Sequence, residues 1–210
     1  MYLPDFNSSH PDVKNSVLAI ANPQAGGGRA IRHQQRWQLR LPDGCQVVFS
    51  QFPGHAEELA RAASCEQRRL VIAVGGDGTF HEVLNGLLSH EGNTTELGIL
   101  PLGTADDFAV SLSLQIKQQQ ADSLVIDVGL VEWNEHRRYF GNVLGIGLTG
   151  RVAQAARRSP GLPARLRYSL ALIRSLWGDI QSPMVRLSYD DGAYVEQPLL
   201  SLTVASGMRE

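Results

Sequence analysis

With 210 residues, of which 43% are hydrophobic, the chain is long enough to bury a substantial core. Its net charge of −2 argues against a general nucleic-acid-binding protein. Its two cysteines, Cys45 and Cys65, exclude a disulfide framework and a metal cluster and suit a reducing, cytoplasmic compartment. Residues 1–16 are polar and broken by Pro4 and Pro11, so we expect a flexible tail there and neither a signal peptide nor a membrane-spanning segment.

After this tail, and up to about residue 122, short apolar runs typical of buried strands alternate with stretches of helical periodicity. This alternation is the βαβ rhythm of a parallel sheet, and it predicts an α/β domain over residues 17–122. The predicted strands are Val17–Ala21, Gln46–Phe49, Arg69–Val74 and Leu97–Leu100, and the helix between the second and third of them spans Ala56–Ala63.

Three of these strands run into glycine-rich turns that lead to helices. The turns read NPQAGGG after the first strand, GGDG after the third and PLGT after the fourth. We expect Arg29, Ile31 and Trp37 to lie on one helix after the first turn, and Asp106 and Asp107 in the first turn of a short helix after the last. Because open parallel sheets bind ligands beyond the carboxyl ends of their strands, the three turns predict one composite ligand site.

The turn after the third strand has the features of a phosphate-binding loop. Gly75, Gly76 and Gly78 allow the backbone to approach a ligand closely, and the N-terminus of the following helix directs N–H groups and a favourable dipole at an anion. Asp77 is the one carboxylate of this loop, and it would either hold a magnesium ion near the phosphates or accept a proton from an attacking hydroxyl. Taken alone, such a turn can also be a plain connection between a strand and a helix, and that alternative stays open.

Beyond residue 122 the pattern changes to strand pairs. The predicted strands are 123–133, 138–144, 184–189 and 194–205, and the predicted helices are 148–158 and 163–177. Asp190, Asp191 and Gly192 form a strong hairpin signal between the last two strands. Residues 123–210 are therefore predicted to form a second, antiparallel domain with two helices.

The helical part of this second domain is strongly basic. Between residues 151 and 174 there is no acidic residue, and the arginines alternate with apolar positions. Such a segment suits an anionic membrane surface, where each exposed cation contributes about 1 kcal/mol; a solvated basic face that packs its apolar side on the sheet is the alternative. The arginines of the segment are Arg151, Arg157, Arg158, Arg165, Arg167 and Arg174.

The motifs of the chain also occur in a characteristic order. NPQAGGG, GGDGT, HEVLNGL and LPLGTADDFA follow one another, and in this the chain resembles the catalytic domain of the diacylglycerol kinase and sphingosine kinase family, in particular its bacterial lipid kinases. The resemblance runs from Val17 through YFGNVLGIGLTGRV at 139–152 and covers most of the chain. It implies an ATP-binding α/β domain followed by a partial antiparallel β-sandwich domain.

The turns and the resemblance together indicate the residues of the site. Asp77 and Glu82 are the expected catalytic residues, and Asp77 is also the expected ligand of Mg²⁺. The residues expected to bind ATP are Asn22, Gly26, Ser50, Gly75, Gly76, Asp77, Gly78, Thr79, Gly103 and Thr104.

Two positions depart from the family pattern. Ala25 stands where the family usually has serine or another small polar residue, and Asp106 stands where asparagine is usual. Neither change removes a backbone donor. Asp106 adds a negative charge near the phosphate site unless it caps the helix or binds a metal, so it affects the local geometry rather than the family assignment.

The C-terminus departs further. Family members continue well beyond the strand at 199–205, whereas this chain ends at Glu210. We therefore expect a C-terminally truncated relative with an incomplete second domain, weak or absent kinase activity, and apolar surface through which it forms a homodimer.

The resemblance implies an ATP-dependent lipid kinase that uses Mg²⁺ and transfers the γ-phosphoryl group of ATP to a hydroxyl of a diacylglycerol-like or sphingoid lipid. We expect it in the cytoplasm at the inner face of the membrane, with no nucleic-acid partner. Two alternatives stay open: a soluble-metabolite kinase of the NAD kinase or phosphofructokinase type, which has a similar GGDGT loop, and a nucleotide-binding module with little activity. A dinucleotide oxidoreductase is not favoured, because no GxGxxG followed by a ribose-binding acid is present.

Overall fold

The computed structural model of the chain describes residues 16–103, 106–119, 123–157, 169–171, 173, 182–188, 190 and 192–205. The described residues through Asn142 form one compact unit, and Val143–Ala205 form a second. The predicted division of the chain into 1–16, 17–122 and 123–210 stays a prediction.

The first unit is built on alternating strands and helices. In chain order its elements are β1 (Val17–Ala21), α1 (Ala25–Arg32), α2 (Gln34–Gln38), β2 (Gln46–Phe49), α3 (His55–Cys65), β3 (Leu70–Gly75), α4 (Asp77–Leu88), β4 (Glu96–Pro101), α5 (Asp107–Gln119), β5 (Gly129–Trp133) and β6 (His136–Phe140).

Four of these strands form a parallel sheet in the order β2-β1-β3-β4. Ala19 of β1 lies between Val47 of β2 and Ile72 of β3, and Ile72 in turn pairs with Gly98 of β4. All residues of β1 and β3 are buried, because helices cover both faces of a parallel sheet and leave its central strands no polar side. The parallel α/β prediction is therefore confirmed.

Alternate residues of the strands supply two separate cores. Leu18, Ile20 and Val71 face α3 and α4, whereas Ala19 and Ile72 face the side that holds the buried Trp37 of α2. This alternation follows from the two-residue period of a strand. Each fully buried large aliphatic side chain contributes about 1.5–3 kcal/mol, so the two cores hold the strand ends in fixed positions.

The helix predicted after the first glycine turn is in fact two short helices. Gly26, Gly27 and Gly28 have φ of 59°, 69° and 85°, a left-handed conformation that breaks the helical path at its start. The chain then bends at His33, between α1 and α2. Trp37 is buried, and its indole N–H donates to the carbonyl of Ala30 at 2.7 Å.

The helix after the fourth strand is longer than predicted and begins one residue later. Helix α5 starts at Asp107, and Asp106 precedes it with φ of 52°. The carbonyl of Asp106 accepts the N–H of Val110 at 3.1 Å, so Asp106 is the residue that opens the helix rather than a member of its first turn.

The hairpin predicted beyond residue 122 is confirmed, with shorter strands. Strands β5 and β6 are antiparallel, and Trp133 pairs with His136 across a tight turn. An ion pair between Arg138 of β6 and Glu57 of α3, with N···O of 2.5 Å, helps fix the hairpin to helix α3 within the first unit. The predicted strand 138–144 is divided, because β6 ends at Phe140.

The second unit is antiparallel, as predicted. Its elements are β7 (Val143–Gly147), α6 (Leu148–Arg157), β8 (Met184–Ser188), β9 (Tyr194–Pro198) and β10 (Ser201–Ala205).

The predicted pairing within this unit needs one correction. Strand β8 pairs with β9, but the predicted strand 194–205 breaks at Leu199 and Leu200, and its second half, β10, pairs with β7. The N–H of Leu199 donates to the carbonyl of Pro183 at 2.9 Å, and the carbonyl of Leu200 accepts the N–H of Leu148 at 3.0 Å, so the chain changes partners at this point. The second predicted helix, 163–177, lies almost entirely outside the described residues.

Candidate active site

The three glycine turns lie together at the carboxyl edge of the parallel sheet. The first turn comprises residues 22–28 after β1, the second comprises 75–79 after β3, and the third comprises 102–106 after β4, of which 104 and 105 lie outside the described residues. Because β1, β3 and β4 are neighbours in the sheet, their ends deliver all three turns to one place. The three turns therefore meet within the first unit, and the composite ligand site expected from them stays a prediction.

The second turn leads directly into a helix whose N-terminus carries no side-chain cap. Gly76 is extended, with φ of −101° and ψ of −169°, and among the described residues no side chain caps the N-terminus of α4. Asp77 and Gly78, the first two residues of the helix, are both exposed. Backbone N–H groups without intrahelical partners therefore lie where a phosphate would gain both hydrogen bonds and the favourable helix dipole.

The first and second turns are joined by two of the predicted site residues. The side-chain amide of Asn22 donates to the hydroxyl of Thr79 at 3.2 Å, while its oxygen accepts the N–H of Gln24 at 2.9 Å. Thr79 is only 3% exposed, and a Cβ on Gly75 would collide with its side chain. We call the surface formed by the three turns the cradle. Asn22, Gly75 and Thr79 therefore lie beneath this surface and support it, and they do not face outward.

The second and third turns approach each other through glycine. A Cβ on Gly76 would lie 3.0 Å from the Cα of Gly103, and the N–H of Leu102 donates to the carbonyl of Gly75 at 2.8 Å. One carboxylate oxygen of Asp106 accepts the N–H of Gly103 at 3.0 Å. The side chain of Asp106 thus caps the third turn, whereas the sequence leaves open a helix cap or a metal ligand at this position.

Arg29 joins the first turn to the third, and sequence reasoning did not identify it as a site residue. Its Nε donates to the carbonyl of Gly26 at 3.2 Å, and its Nη2 donates to the carbonyl of Gly103 at 2.5 Å. Gly103 is therefore held from both sides, by a cation at its carbonyl and a carboxylate at its N–H. The available signal was a cation one residue after a glycine run, but spacing alone does not say which carbonyl it reaches.

Asp77 is the exposed carboxylate of the cradle. One of its oxygens accepts the N–H of Phe108 at 3.4 Å, so it leans toward the start of α5. This single long hydrogen bond leaves most of its acceptor positions open to a ligand. Asp77 lies beside the first N–H groups of α4, and its role in phosphate or metal binding stays a prediction.

The other predicted site residues occupy different positions. Ser50 is buried directly after β2, and its N–H donates to the carbonyl of Ala21 at 2.9 Å, which places it at the same sheet edge. Glu82 is half-buried on α4, and about 140° of helical rotation separates it from Asp77. Within the described chain, the side chain of Glu82 makes no hydrogen bond or ion pair, and Thr104 lies outside the described residues.

The chemistry of the described residues limits how a metal ion could be held. Nowhere in the described ranges do three His, Cys, Asp or Glu side chains group closely enough to bind one. Mg²⁺ at phosphate sites is commonly held by one or two carboxylates together with the phosphates themselves, and Asp77 fits that requirement.

The half-buried cysteine is not a second reactive centre. Burial raises the pKa of the Cys45 thiol to about 11, and a backbone hydrogen bond with Ala19 and the charge of Arg68 lower it by smaller amounts. At neutral pH the group is therefore a protonated thiol that packs against the core around Trp37.

Comparison with known proteins agrees with this geometry. Residues 16–132, more than half of the chain, match the family described as the diacylglycerol kinase catalytic domain. This range contains all three turns. The chain belongs to the diacylglycerol kinase catalytic domain family, and the resemblance inferred from its motifs is confirmed.

Relatives and solved structures extend the likeness. The diacylglycerol kinase of Bacillus subtilis strain 168 is 31% identical over 158 residues, covering 71% of this chain and 50% of the relative. A diacylglycerol kinase of Staphylococcus epidermidis is 30% identical over 209 residues, covering 90% of this chain and 62% of the relative. The crystal structure of a diacylglycerol kinase from Bacillus anthracis shares the fold, with a TM-score of 0.62 at 24% identity, and the match covers 92% of this chain and 63% of that one.

The chain thus spans between about half and two thirds of the length of these relatives.

Proposed function

We propose that the protein is an ATP-dependent lipid kinase, which transfers the γ-phosphoryl group of ATP to a hydroxyl of a diacylglycerol-like lipid. The observation that carries this proposal is the meeting of three glycine turns, an uncapped helix N-terminus and the exposed Asp77 at one sheet edge. The membership of the chain in the diacylglycerol kinase catalytic domain family supports the choice of a lipid acceptor.

In this proposal the backbone binds the phosphates. The N–H groups at the start of α4 hold the charged oxygens of ATP, and the close contact of Gly76 with Gly103 leaves no side chain between them and the ligand. Arg29, whose guanidinium lies at the third turn, adds positive charge to the same edge. These fixed donors stabilise the negative charge that spreads over the phosphoryl group as it moves.

Asp77 is the residue proposed to take part in the transfer itself. The lipid oxygen forms a new bond to the γ-phosphorus while the bond to the leaving ADP breaks, and the hydroxyl proton must go to an acceptor. Asp77 either accepts that proton or holds a magnesium ion, which would offset the charge on the phosphates. Glu82 lies about 140° of helical rotation from Asp77, and the catalytic role expected for it stays a prediction.

The lipid would be met at a membrane surface. No described helix is both long enough and apolar enough to span a bilayer. Arg151 of α6 is exposed, and the side chains of the remaining arginines of the basic segment lie outside the described residues. We propose that this segment attracts anionic lipids on the inner membrane face. The homodimer expected from the sequence stays a separate prediction.

A panel of acceptors tests this function. The chain is incubated with radiolabelled ATP, Mg²⁺ and, in separate reactions, dioctanoylglycerol, sphingosine, NAD and fructose 6-phosphate. We expect weak label in the dioctanoylglycerol product, in line with the reduced activity predicted from the sequence, and none in the two soluble metabolites. Labelled NAD or fructose bisphosphate would support the soluble-metabolite alternative, and ATP binding by calorimetry without any labelled product would support a nucleotide-binding module.

A further inference from the structure

An open apolar cavity lies beside the third glycine turn, within the first unit. Its volume is about 520 Å³, and it is bounded by α4, β4, α5 and residues 123–128. We call it the β4–α5 cavity. Its main apolar walls are Phe80, Leu84, Leu97, Ile99, Phe108 and Leu112.

The size and lining of the β4–α5 cavity suit a hydrocarbon ligand. Pockets that bind small molecules commonly have volumes of about 300–1,000 Å³. An apolar cavity of about 150 Å³ accepts a benzene ring, so 520 Å³ corresponds to about 20 carbon atoms, which is the scale of one long acyl chain. The stacked rings of Phe80 and Phe108, with centroids 4.1 Å apart, give one side of it a rigid wall.

The charges at the cavity select against an anion. The described residues that line it include no lysine, arginine or histidine, but they include two carboxylates, Glu96 and Asp106. A fatty-acid carboxylate or a lipid phosphate would lose hydration there without gaining a cation. A neutral chain with a hydroxyl-bearing head group avoids this cost.

The cavity also lies directly beside the proposed phosphoryl-transfer site. Asp106 lines the cavity and bonds the N–H of Gly103 in the third turn, while Phe108 lines it and donates its N–H to Asp77. Only the backbone at the start of α5 therefore separates the cavity from the carboxylate of Asp77. A chain that fills the cavity would leave its polar end near that carboxylate.

We propose that the β4–α5 cavity binds one acyl chain of a neutral acylglycerol and so positions its hydroxyl for phosphorylation. This inference rests on the proposed lipid kinase function, but the cavity can be tested by binding alone. It assigns part of the recognition of the lipid tail to the domain that carries the glycine turns.

Binding of a fluorescent acyl chain is the first test, and it needs no phosphoryl transfer. The probes are the monoacylglycerol of cis-parinaric acid and the free acid, and the proteins are the parent chain, Ala109→Phe and Ala62→Phe. Ala109 lines the cavity, so phenylalanine there fills it, whereas Ala62 is exposed on α3 and serves as the matched control. Ser113→Phe, on the same wall of α5, fills the cavity from a second position.

We expect the parent and Ala62→Phe to bind the monoacylglycerol, and both cavity-filling variants to bind it at least 10-fold more weakly. The free acid should bind the parent more weakly than the monoacylglycerol does. Circular dichroism and ATP calorimetry establish that each variant is folded. Equal binding by parent and folded cavity-filling variants, or tighter binding of the free acid, would overturn the assignment.

Kinetics then connects the cavity to the reaction. With dioctanoylglycerol as acceptor, Ala109→Phe should raise KM at least 10-fold and change kcat less than that, because the nucleotide turns are untouched. Unchanged KM in a chain that still phosphorylates dioctanoylglycerol would reject the cavity as the acyl site while leaving the lipid kinase function in place. Phosphorylation of NAD or fructose 6-phosphate in place of the lipid would instead reject the proposed function, and with it the role of the cavity in substrate positioning.

Discussion

The side-chain amide of Asn85 satisfies both backbone groups of Tyr139, which lies 54 residues further along the chain. Its Nδ2 donates to the carbonyl of Tyr139 at 2.9 Å, and its Oδ1 accepts the N–H of Tyr139 at 2.9 Å. A third bond, from Nδ2 to the carbonyl of His81 at 2.8 Å, fixes the rotamer. Asn85 is 4% exposed, so this residue of the HEVLNGL motif holds strand β6 on helix α4 instead of contacting a ligand.

Replacing Asn85 by alanine should therefore destabilise the protein without acting on the nucleotide directly. The change leaves the N–H and carbonyl of Tyr139 without these partners, and an unsatisfied buried group costs about 1–3 kcal/mol. Urea unfolding measures the loss. Tyr139→Phe is the matched control, because it keeps both backbone groups. If Asn85→Ala has the same free energy of unfolding as this control, the hydrogen bonds between Asn85 and Tyr139 contribute nothing to stability.

The contact between the second and third turns makes two neighbouring glycines behave differently. A Cβ at Gly76 would lie 3.0 Å from the Cα of Gly103, whereas a Cβ at Gly78 meets nothing within 4 Å. We expect Gly76→Ala to push the turns apart, lower the free energy of unfolding, and weaken ATP binding about 10-fold, or about 1.4 kcal/mol. Gly78→Ala should raise the free energy of unfolding by about 0.5–1 kcal/mol, because alanine is the better helix former.

Thermal unfolding and ATP calorimetry on both variants test this contrast. Equal stabilities for Gly76→Ala and Gly78→Ala would mean that the approach of Gly76 to Gly103 does not constrain the turns. Equal and unchanged ATP affinities would place the nucleotide elsewhere.

The strands of the parallel sheet could be predicted well from the sequence. Strands β1 and β2 have their predicted bounds, and each end of β3 and β4 lies one residue from its predicted position. The reason is physical: a strand covered on both faces is a continuous apolar run, and the glycines that follow mark its end. The meeting of the three turns followed from the same pattern, because parallel strands bring their carboxyl ends to one edge.

Other features depend on partners that are distant in sequence and leave no local pattern. The left-handed path of Gly26, Gly27 and Gly28 and the bend at His33 are compatible with the same helical periodicity that predicted one helix. The break at Leu199 and Leu200 is hidden because apolar residues continue on both sides while the pairing changes from β8 to β7. Likewise, nothing near Arg29 or Asn85 in the sequence indicates the carbonyls that they reach.

The raised pKa of Cys45 predicts a pH dependence of stability. The thiol titrates at about 11 in the folded protein against 9.0 for the ordinary group, so the unfolded chain loses this proton first. The contribution of the protonated thiol is fully present below pH 9 and is lost as the pH rises toward 11. We expect the free energy of unfolding to fall more steeply between pH 9 and about pH 11 in the parent than in Cys45→Ala; parallel profiles by urea titration would contradict this assignment.

Because Arg29 links the first turn to the third, replacing it should weaken ATP binding more than replacing the neighbouring Arg32. Hydrogen bonds to a charged group contribute about 1.5–3 kcal/mol, so Arg29→Ala should free the third turn and weaken ATP binding by about 10-fold or more. Arg32 is the matched control, because its Nη2 bonds only the carbonyl of Gly27, within the first turn, at 2.9 Å. If Arg29→Ala and Arg32→Ala bind ATP with the same affinity in calorimetry, the bridge between the first and third turns has no role in forming the site.

Asp77 provides the sharpest test of the reaction. In Asp77→Asn the amide oxygen can still accept the N–H of Phe108, so the fold and its stability should be nearly unchanged, while phosphoryl transfer to dioctanoylglycerol should fall by about 100-fold or more. A metal-binding role predicts that the variant requires more Mg²⁺ for half-maximal rate, whereas a proton-accepting role predicts a lower kcat at the same Mg²⁺ dependence. Glu58→Gln, which removes an exposed carboxylate of α3, controls for the loss of surface charge. Parental turnover by Asp77→Asn would remove Asp77 from the mechanism and require the proton acceptor or metal ligand to be sought among other residues.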